Sequence, residues 1–428
     1  MNQTIRSRIE QIKRGAIPDG YKKTKVGIVP KEWTEHTLSE FFDFKNGLNK
    51  EKEAFGKGTP IVNYTDVWRK RGLLKENIKG KVLLSKNEID LYKVEEGDVF
   101  FTRTSETIEE IGLSSVLLEP INDCVFSGFV LRARPKKAGI VKEYNIYCYS
   151  SAIMRHEITR KSSMTTRALT NGTLLGEVNI NLPNQKEQEK IAEILQEQDR
   201  LIKLKEKLIE EKKKRKQYLV QQLLTKKLRL PGIFEEWRNI TLGECLQEVN
   251  LRTTENNQYE VLSVTREGIV RQKEQFNFQR ASDNNIGYKV IKKNQVAFSV
   301  LNLWMGSVDI LQSPEIGMIS PAYKVFDCLS NIIIPDFAKY FLRSAEMVWL
   351  YNVNSEIGAS IVRKNLDLDG LLQSNVTIPK IPEQRAIAEV LSKADDELEL
   401  LQKELEEQKR KKQSLMQLLL TGIVKVKA

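Results

Sequence analysis

Residues 187–225 read EQEKIAEILQEQDRLIKLKEKLIEEKKKRKQYLVQQLLT, and residues 383–421 read EQRAIAEVLSKADDELELLQKELEEQKRKKQSLMQLLLT. The second copy follows the first at an offset of 196 residues (384 minus 188), needs no gap, and is identical at 19 of the 39 positions. A repeat of that length marks a duplicated architecture, and the physics of the repeated segment decides how the rest of the chain is read.

Both copies read as long helices. Neither contains Gly or Pro, and Leu, Glu, Lys and Gln, all good helix formers, dominate. A stop signal precedes each, Leu182-Pro183 and Ile378-Pro379; Asn184 with Glu187 suits a capping box, and Pro382 suits a first helical position. Apolar residues return every seventh position: Leu195, Ile202, Ile209 and Leu223 in one copy, Leu391, Leu398, Leu405 and Leu419 in the other. Lys216 and Lys412 interrupt the column at the same place in each. A second column (Ile387, Ala394, Leu401, Gln408, Leu415) completes a seam in the second copy, whereas Gln198, Lys205 and Lys212 weaken it in the first. Such heptads predict a coiled coil, each helix roughly 58 Å long at 1.5 Å per residue. The economical arrangement packs the two helices on each other within one molecule.

The rest of the chain is duplicated more loosely. Trp33, Thr37, Leu38 and Glu40 match Trp237, Thr241, Leu242 and Glu244 at an offset of 204, and Tyr92-Lys93-Val94 matches Tyr288-Lys289-Val290 at 196. The order is domain, helix, domain, helix, with boundaries at 1–182, 183–226, 227–380 and 381–428. Strand-like runs at 60–67, 81–84, 98–102, 125–133, 259–264, 296–301 and 323–326, with helix-like stretches at 144–160 and 335–351, make each globular part an α/β domain of the α+β kind. The helices kept their sequence for a shared geometric task, while the domains diverged as if each binds something different.

Composition narrows the function. The 428 residues carry 68 Lys and Arg against 57 Asp and Glu, a net charge of +11, which favours a polyanionic partner. The four cysteines, Cys124, Cys148, Cys245 and Cys328, form no CxxC pair, so neither a disulfide framework nor a zinc site is expected. No apolar run approaches a membrane span and no signal peptide opens the chain, so a cytoplasmic protein is expected. Catalytic signatures are missing. The two histidines, His36 and His156, make no HExxH; no GxGxxG offers a cofactor pocket; no Asn-Pro-Pro-aromatic tetrapeptide is found; and Gly56-Lys57-Gly58-Thr59 lacks phosphate-loop spacing and reads as a turn. No catalytic residue, cofactor or metal is expected.

What remains suits nucleic acid. The run Lys212-Lys213-Lys214-Arg215-Lys216 is a solvated helix face balanced by Glu206, Glu210 and Glu211, a contact with DNA phosphates or a partner, or a nuclear localisation signal, which its place inside a heptad helix suits poorly. Polar and cationic groups crowd positions just after predicted strands: Asn63, Thr65, Arg69 and Arg71; Thr102, Arg103, Thr104 and Ser105; Lys161, Thr165 and Arg167. The second domain offers Ser263, Thr265 and Arg266, then Asn302 and Trp304, then Ser360 and Arg363. Arg pairs bidentately with guanine and Asn with adenine, while hydroxyls suit phosphates. Each loop alone is explained by ordinary surface chemistry. Their recurrence in both halves is the signal.

This plan, with Gly27-Ile28-Val29-Pro30-Lys31-Glu32-Trp33 at the start, Leu230-Pro231-Gly232-Ile233 opening the second domain, Glu-Gln opening each helix and Leu-Leu-Thr closing it, resembles the specificity (S) subunit of type I restriction-modification systems along the whole chain. The resemblance implies two target-recognition domains, each reading half of a bipartite target in double-stranded DNA. It implies antiparallel coiled-coil helices, related by a pseudo-twofold, that space the domains and dock two methyltransferase (M) subunits. Motor-nuclease (R) subunits join that core. The weak stretch of the first helix seam is then open to a partner helix. A coiled-coil adaptor with two protein-binding domains, or the recognition subunit of another restriction-modification class, are the alternatives.

Overall fold

The computed structural model describes residues 3–232, 235–275, 284–360 and 363–426. Contacts divide it into two units, one formed by Met1–Glu206 with Glu404–Ala428 and the other by Lys207–Lys403. Both contain a central antiparallel sheet, a pair of short helices and parts of both long helices, and unit 1 adds a helix at Gln3–Lys13 and a hairpin of Tyr21–Thr24 with Gly27–Pro30.

In unit 1 a five-stranded sheet runs in the order Phe42–Asn46, Val130–Pro135, Val99–Thr102, Ser114–Leu117, Gly72–Leu73, all neighbours antiparallel except the last pair. The central strand, Val-Phe-Phe-Thr, is buried at all four positions, and period-2 alternation splits it between two cores. Val99 and Phe101 face a cluster with Trp33, Tyr144, Tyr147 and Ile158, while Phe100 faces Val62, Leu117 and Phe126. Unit 2 repeats this with the order Leu246–Val249, Tyr323–Cys328, Val296–Ser299, Val308–Ile310. There Val296 and Phe298 join Trp237, Phe337 and Tyr351, and Ala297 joins Ile291 and Val325.

Two expected helices are in fact pairs. The stretch 144–160 is Lys142–Cys148 and Ala152–Lys161, and 335–351 is Pro335–Phe341 and Ala345–Val353. The second helix of each pair restarts where a serine, Ser151 or Ser344, accepts the backbone N–H three residues on. The expected strand at 60–67 is the end of Phe55–Val62 followed by a short helix, Tyr64–Arg69, opened by Asn63, whose N–H donates to Asp66. Gly56 and Gly58 lie inside that strand, at φ of 102° and 97°, rather than in a turn. The run 125–133 is likewise two strands of different sheets, Val125–Phe126 and Val130–Pro135.

The long helices span Gln185–Leu224 and Ile381–Leu420, 40 residues each. In unit 1 the beginning of the first packs on the end of the second, with Lys205 bonded to Glu404 at 2.6 Å and Lys412 to Asp199. In unit 2 the partners are Lys212 with Glu397 at 2.5 Å and Lys216 with Asp395. Partner numbers fall as residue numbers rise, so the pairing is antiparallel within each unit. Leu195, Leu223, Leu391 and Leu419 are fully buried; Ile209, Leu398 and Leu405 are nearly so, and Ile202 is half-buried. The weak seam of the first helix is thus used inside the molecule: Lys205 and Lys212 reach across to glutamates instead of facing a partner helix. Such exposed pairs contribute at most about 1 kcal/mol each.

The helix ends belong to the domain cores. Ile191, Ala192, Leu195, Met416, Leu419 and Leu420 pack with Trp33 and Tyr144; Leu223, Leu224, Ile387, Ala388 and Leu391 pack with Trp237 and Phe337. In each domain an early strand pairs antiparallel with the last strand before the long helix, Thr34–Thr37 with Asn179–Leu182 and Arg238–Thr241 with Asn375–Ile378. Both helices end on a residue with positive φ, Lys226 at 59° and Gly422 at 68°, again 196 apart. Gly422 is required for space as well, since a Cβ there would lie 2.4 Å from Pro30 Cδ.

Candidate nucleic-acid interface

The repeated Glu-Gln pair at each helix start anchors helix to domain. Trp33 Nε1 donates to Glu187 Oε2 at 3.2 Å, and Trp237 Nε1 to Glu383 Oε2 at 3.0 Å. Glu187 therefore does not close a capping box with Asn184, although Asn184 Oδ1 accepts the Glu187 N–H at 3.0 Å. Burial raises the Glu187 carboxyl above its usual range, opposed by the Trp33 bond. Gln188 Oε1 accepts the Val141 N–H while its Nε2 donates to Gly139 and Pro183 carbonyls. Gln384 does the same with Ile334, Ile332 and Pro379. These contacts tie each helix start to a tryptophan and to the chain just before the first helix of the domain's helix pair.

In unit 1 the chain leaving the central strand forms Thr104–Ser105, which pairs with Ala168–Leu169, itself paired with Ser163–Met164. Thr104 lies on this small sheet, and Thr165 and Arg167 are exposed in the turn that joins its two other strands. Arg103 adjoins it, its N–H donating to Phe129 O at 3.1 Å and Nη1 to Gly128 O at 3.3 Å. Phe129, 62% exposed, stands beside Arg103 and is absent from the sequence reading. Its only sequence signal is an aromatic after Ser127-Gly128, between two strands.

Thr102 is withdrawn from the surface. Fully buried, its hydroxyl donates to Glu110 O and accepts the Leu113 N–H, both at 2.9 Å. Ser105 is also buried, accepting the Thr107 N–H at 3.3 Å. Lys161 is ion-paired to Glu177 at 3.1 Å. Asn63 and Thr65 belong to the turn and helix at 63–69, where Asn63 Nδ2 donates to Ile61 O at 3.3 Å, and Arg69 is exposed at the end of that helix. Arg71 is exposed too, its carbonyl accepting the Val116 N–H at 2.9 Å at the edge of the main sheet.

Unit 2 places its candidates at comparable points. Past the central strand come Asn302 and a short helix carrying Trp304, and Lys364 Nζ sits 5.0 Å from the Trp304 ring centroid. Lys364 is on Arg363–Leu366, which pairs with Ser355–Ser360. A hairpin after the second domain helix thus returns beside the central strand's exit, as in unit 1. Ser360 and Arg363 lie on these strands, but their side chains fall outside the described residues. Thr265 closes its own turn, donating to Gly268 O at 3.0 Å, and Ser263 accepts from Gln272 at 3.3 Å. Arg266 is exposed, its carbonyl held by Arg343 at 3.1 Å.

Among the described residues no cluster of three or more His, Cys, Asp or Glu could hold a metal ion, and no helix is long and apolar enough to cross a membrane. Burial pushes the Cys124, Cys245 and Cys328 thiols up to about 12.

Residues 30–213 match the protein family described as the type I restriction modification DNA specificity domain. The chain is 24% identical over 441 aligned positions, covering 96% of it and 97% of the relative, to the putative type I restriction enzyme MjaX specificity subunit of Methanocaldococcus jannaschii. It is 28% identical over 196 residues, 44% of its length and 42% of the relative's, to the MjaIX specificity subunit of the same organism. The HsdS subunit from Thermoanaerobacter tengcongensis shares the fold with a TM-score of 0.52 at 16% identity, covering 92% of this chain and 98% of that one. A chain solved in work on complex assembly and conformational transition of the type I R-M system gives 0.55 at 16% identity, covering 92% and 99%.

Proposed function

We propose that this chain is a specificity subunit of a type I restriction-modification system, which selects the DNA target of such a complex and does no chemistry itself. The observation that carries this reading is the contrast within the duplicated unit. Sheet order, helix anchors and helix pairing recur in both halves, whereas the loops at the exit of the central strand differ in sequence and side-chain chemistry. A shared scaffold with two unlike reading edges suits two unlike half-sites. On this reading 1–182 and 227–380 are the target-recognition domains, the helices at 183–226 and 381–428 set the spacing between half-sites and dock M subunits, two per chain, and R subunits join that core.

The test is co-expression with an M subunit followed by methylome sequencing, which should reveal one bipartite motif with a degenerate gap. A contiguous motif would show that the helices do not set a gap, and assembly with the M subunit without salt-sensitive DNA binding would favour an adaptor instead. The purified chain alone should show no methyl transfer, DNA cleavage or ATP hydrolysis; robust activity in any of these assays contradicts the proposal.

Arg103 and Arg167 in unit 1, and Arg363 in unit 2, are the residues proposed to read bases. Alanine at Arg103 or Arg167 should relax one position of one half-site, and Arg363→Ala one of the other, each costing about 1–3 kcal/mol if the contact is bidentate. Uniform weakening across all sequences would reassign the residue to phosphate binding.

A further inference from the structure

The two lysines that break the heptad column land in polar clusters built to one plan. In unit 1 the Lys412 side chain, only 11% exposed, bonds Asp199 Oδ1 through its ammonium. Tyr147 Oη donates to Asp199 Oδ2 at 2.8 Å, and Lys412 Nζ lies 5.6 Å from the centroid of the Tyr147 ring. In unit 2 the Lys216 ammonium bonds Asp395 Oδ1, Tyr340 Oη donates to Asp395 Oδ2 at 2.7 Å, and Lys216 Nζ lies 5.8 Å from the Tyr340 centroid. Lys339 adds a second cation 3.6 Å from Asp395. The aspartates are 196 residues apart, as are the lysines, and the tyrosines are 193 apart. Each cluster ties three elements at one point: both long helices, and the first helix of the pair in its own domain, Lys142–Cys148 or Pro335–Phe341.

Stability alone does not account for these groups. A lysine in a leucine column must be desolvated, and burial lowers the Lys412 ammonium's affinity for its proton even with Asp199 beside it. A leucine there would pack without that penalty, and buried ion pairs are commonly no more stabilising than apolar replacements. What a buried polar pair does well is specify register. Sliding the helices by three or four residues would bring Lys412 opposite Leu195, Gln196, Ile202 or Lys203, none of them acidic, and Lys216 opposite Leu391, Ser392, Leu398 or Glu399, of which one is acidic.

We infer that the Lys412–Asp199–Tyr147 and Lys216–Asp395–Tyr340 clusters are register locks, fixing each helix pair in slide and rotation against its own domain and so determining which gap length the complex accepts. The inference rests on the bipartite-target reading above and assigns these six as positioning residues rather than DNA contacts.

The experiment uses the full chain assembled with its M subunit. It compares methylation rates on duplexes whose gap is parental, one base pair shorter or one longer, together with the thermal midpoint of the complex. Lys216→Met with Lys412→Met should keep both half-sites and leave the midpoint equal or higher. The ratio of off-gap to parental-gap methylation should rise about tenfold, the order expected when a charge-assisted contact no longer discriminates. The exchange Lys412→Asp with Asp199→Lys should restore unit 1's share of the discrimination, whereas Lys412→Asp alone should not. Unchanged gap preference in the double Met variant overturns the inference. So does loss of folding in both the Met variant and the exchange, which would make the clusters purely stabilising. Loss of methylation at every gap with the midpoint kept would place the lysines in subunit docking and overturn it as well. A parent protein without a gapped motif would instead defeat the underlying functional reading.

Discussion

Inserting four residues into both long helices, after Glu206 in the first and after Lys403 in the second, is expected to widen the degenerate gap of the target by one or two base pairs while both half-sites keep their sequence. The sites face each other in the antiparallel register, next to the Lys205–Glu404 bond. Lengthening one helix alone would misalign either the Lys412–Asp199 or the Lys216–Asp395 cluster. Four residues add about 6 Å of helix, against roughly 3.4 Å per base pair. Four residues also turn an α-helix through about 400°, nearly one full revolution, so the seam is only slightly rotated. Methylome sequencing of cells expressing the variant with its M subunit reads the outcome directly. Methylation at the parental gap should fall by at least about tenfold, the change that roughly 1.4 kcal/mol of misfit produces. An unchanged gap would show that helix length does not set the spacing.

Gln384→Leu is expected to destabilise unit 2 by about 3–5 kcal/mol, and Gln188→Leu to do the same for unit 1, because each strands several buried backbone groups at about 1–3 kcal/mol apiece. Both glutamines are essentially inaccessible. Gln384 accepts from Ile334 N at 2.9 Å and donates to Ile332 O at 2.7 Å and Pro379 O at 2.9 Å. Leucine matches the volume but supplies none of these partners. The control is Lys393→Ala on the same helix, which removes an exposed i,i+4 pair with Glu389 and should cost about 0.5 kcal/mol or less. Urea unfolding of the full chain, followed by tryptophan fluorescence from Trp33 and Trp237, separates the two outcomes. A loss below about 1 kcal/mol for Gln384→Leu would mean that the bonds to the helix start are replaced by water and do not anchor it.

The long helices, their duplication and their heptad seam were legible in the sequence because the forces that make them are local and periodic. Helix propensity and the spacing of Leu195, Ile202 and Ile209 act over one or two turns, so the pattern can be read without knowing what lies opposite. The resemblance to type I specificity subunits implied an antiparallel pairing that periodicity alone left open. The domain strands were only partly legible. At 60–67, 144–160 and 335–351 a short polar side chain (Asn63, Ser151, Ser344) bonds the local backbone and breaks the element, a competition that apolar spacing does not register. Tertiary structure decided the rest. Glu187 looks like a cap residue but serves Trp33, 154 positions away. Lys205 and Lys212 look like an open face but are matched to glutamates 199 and 185 residues downstream. Thr102 looks like a phosphate ligand, yet the turn from Glu110 to Leu113 folds over it and uses up its hydroxyl. A residue's chemistry is set by its own atoms, but whether that chemistry is spent inside the fold or offered to DNA depends on which distant segment packs against it, and that is fixed only when the chain closes on itself.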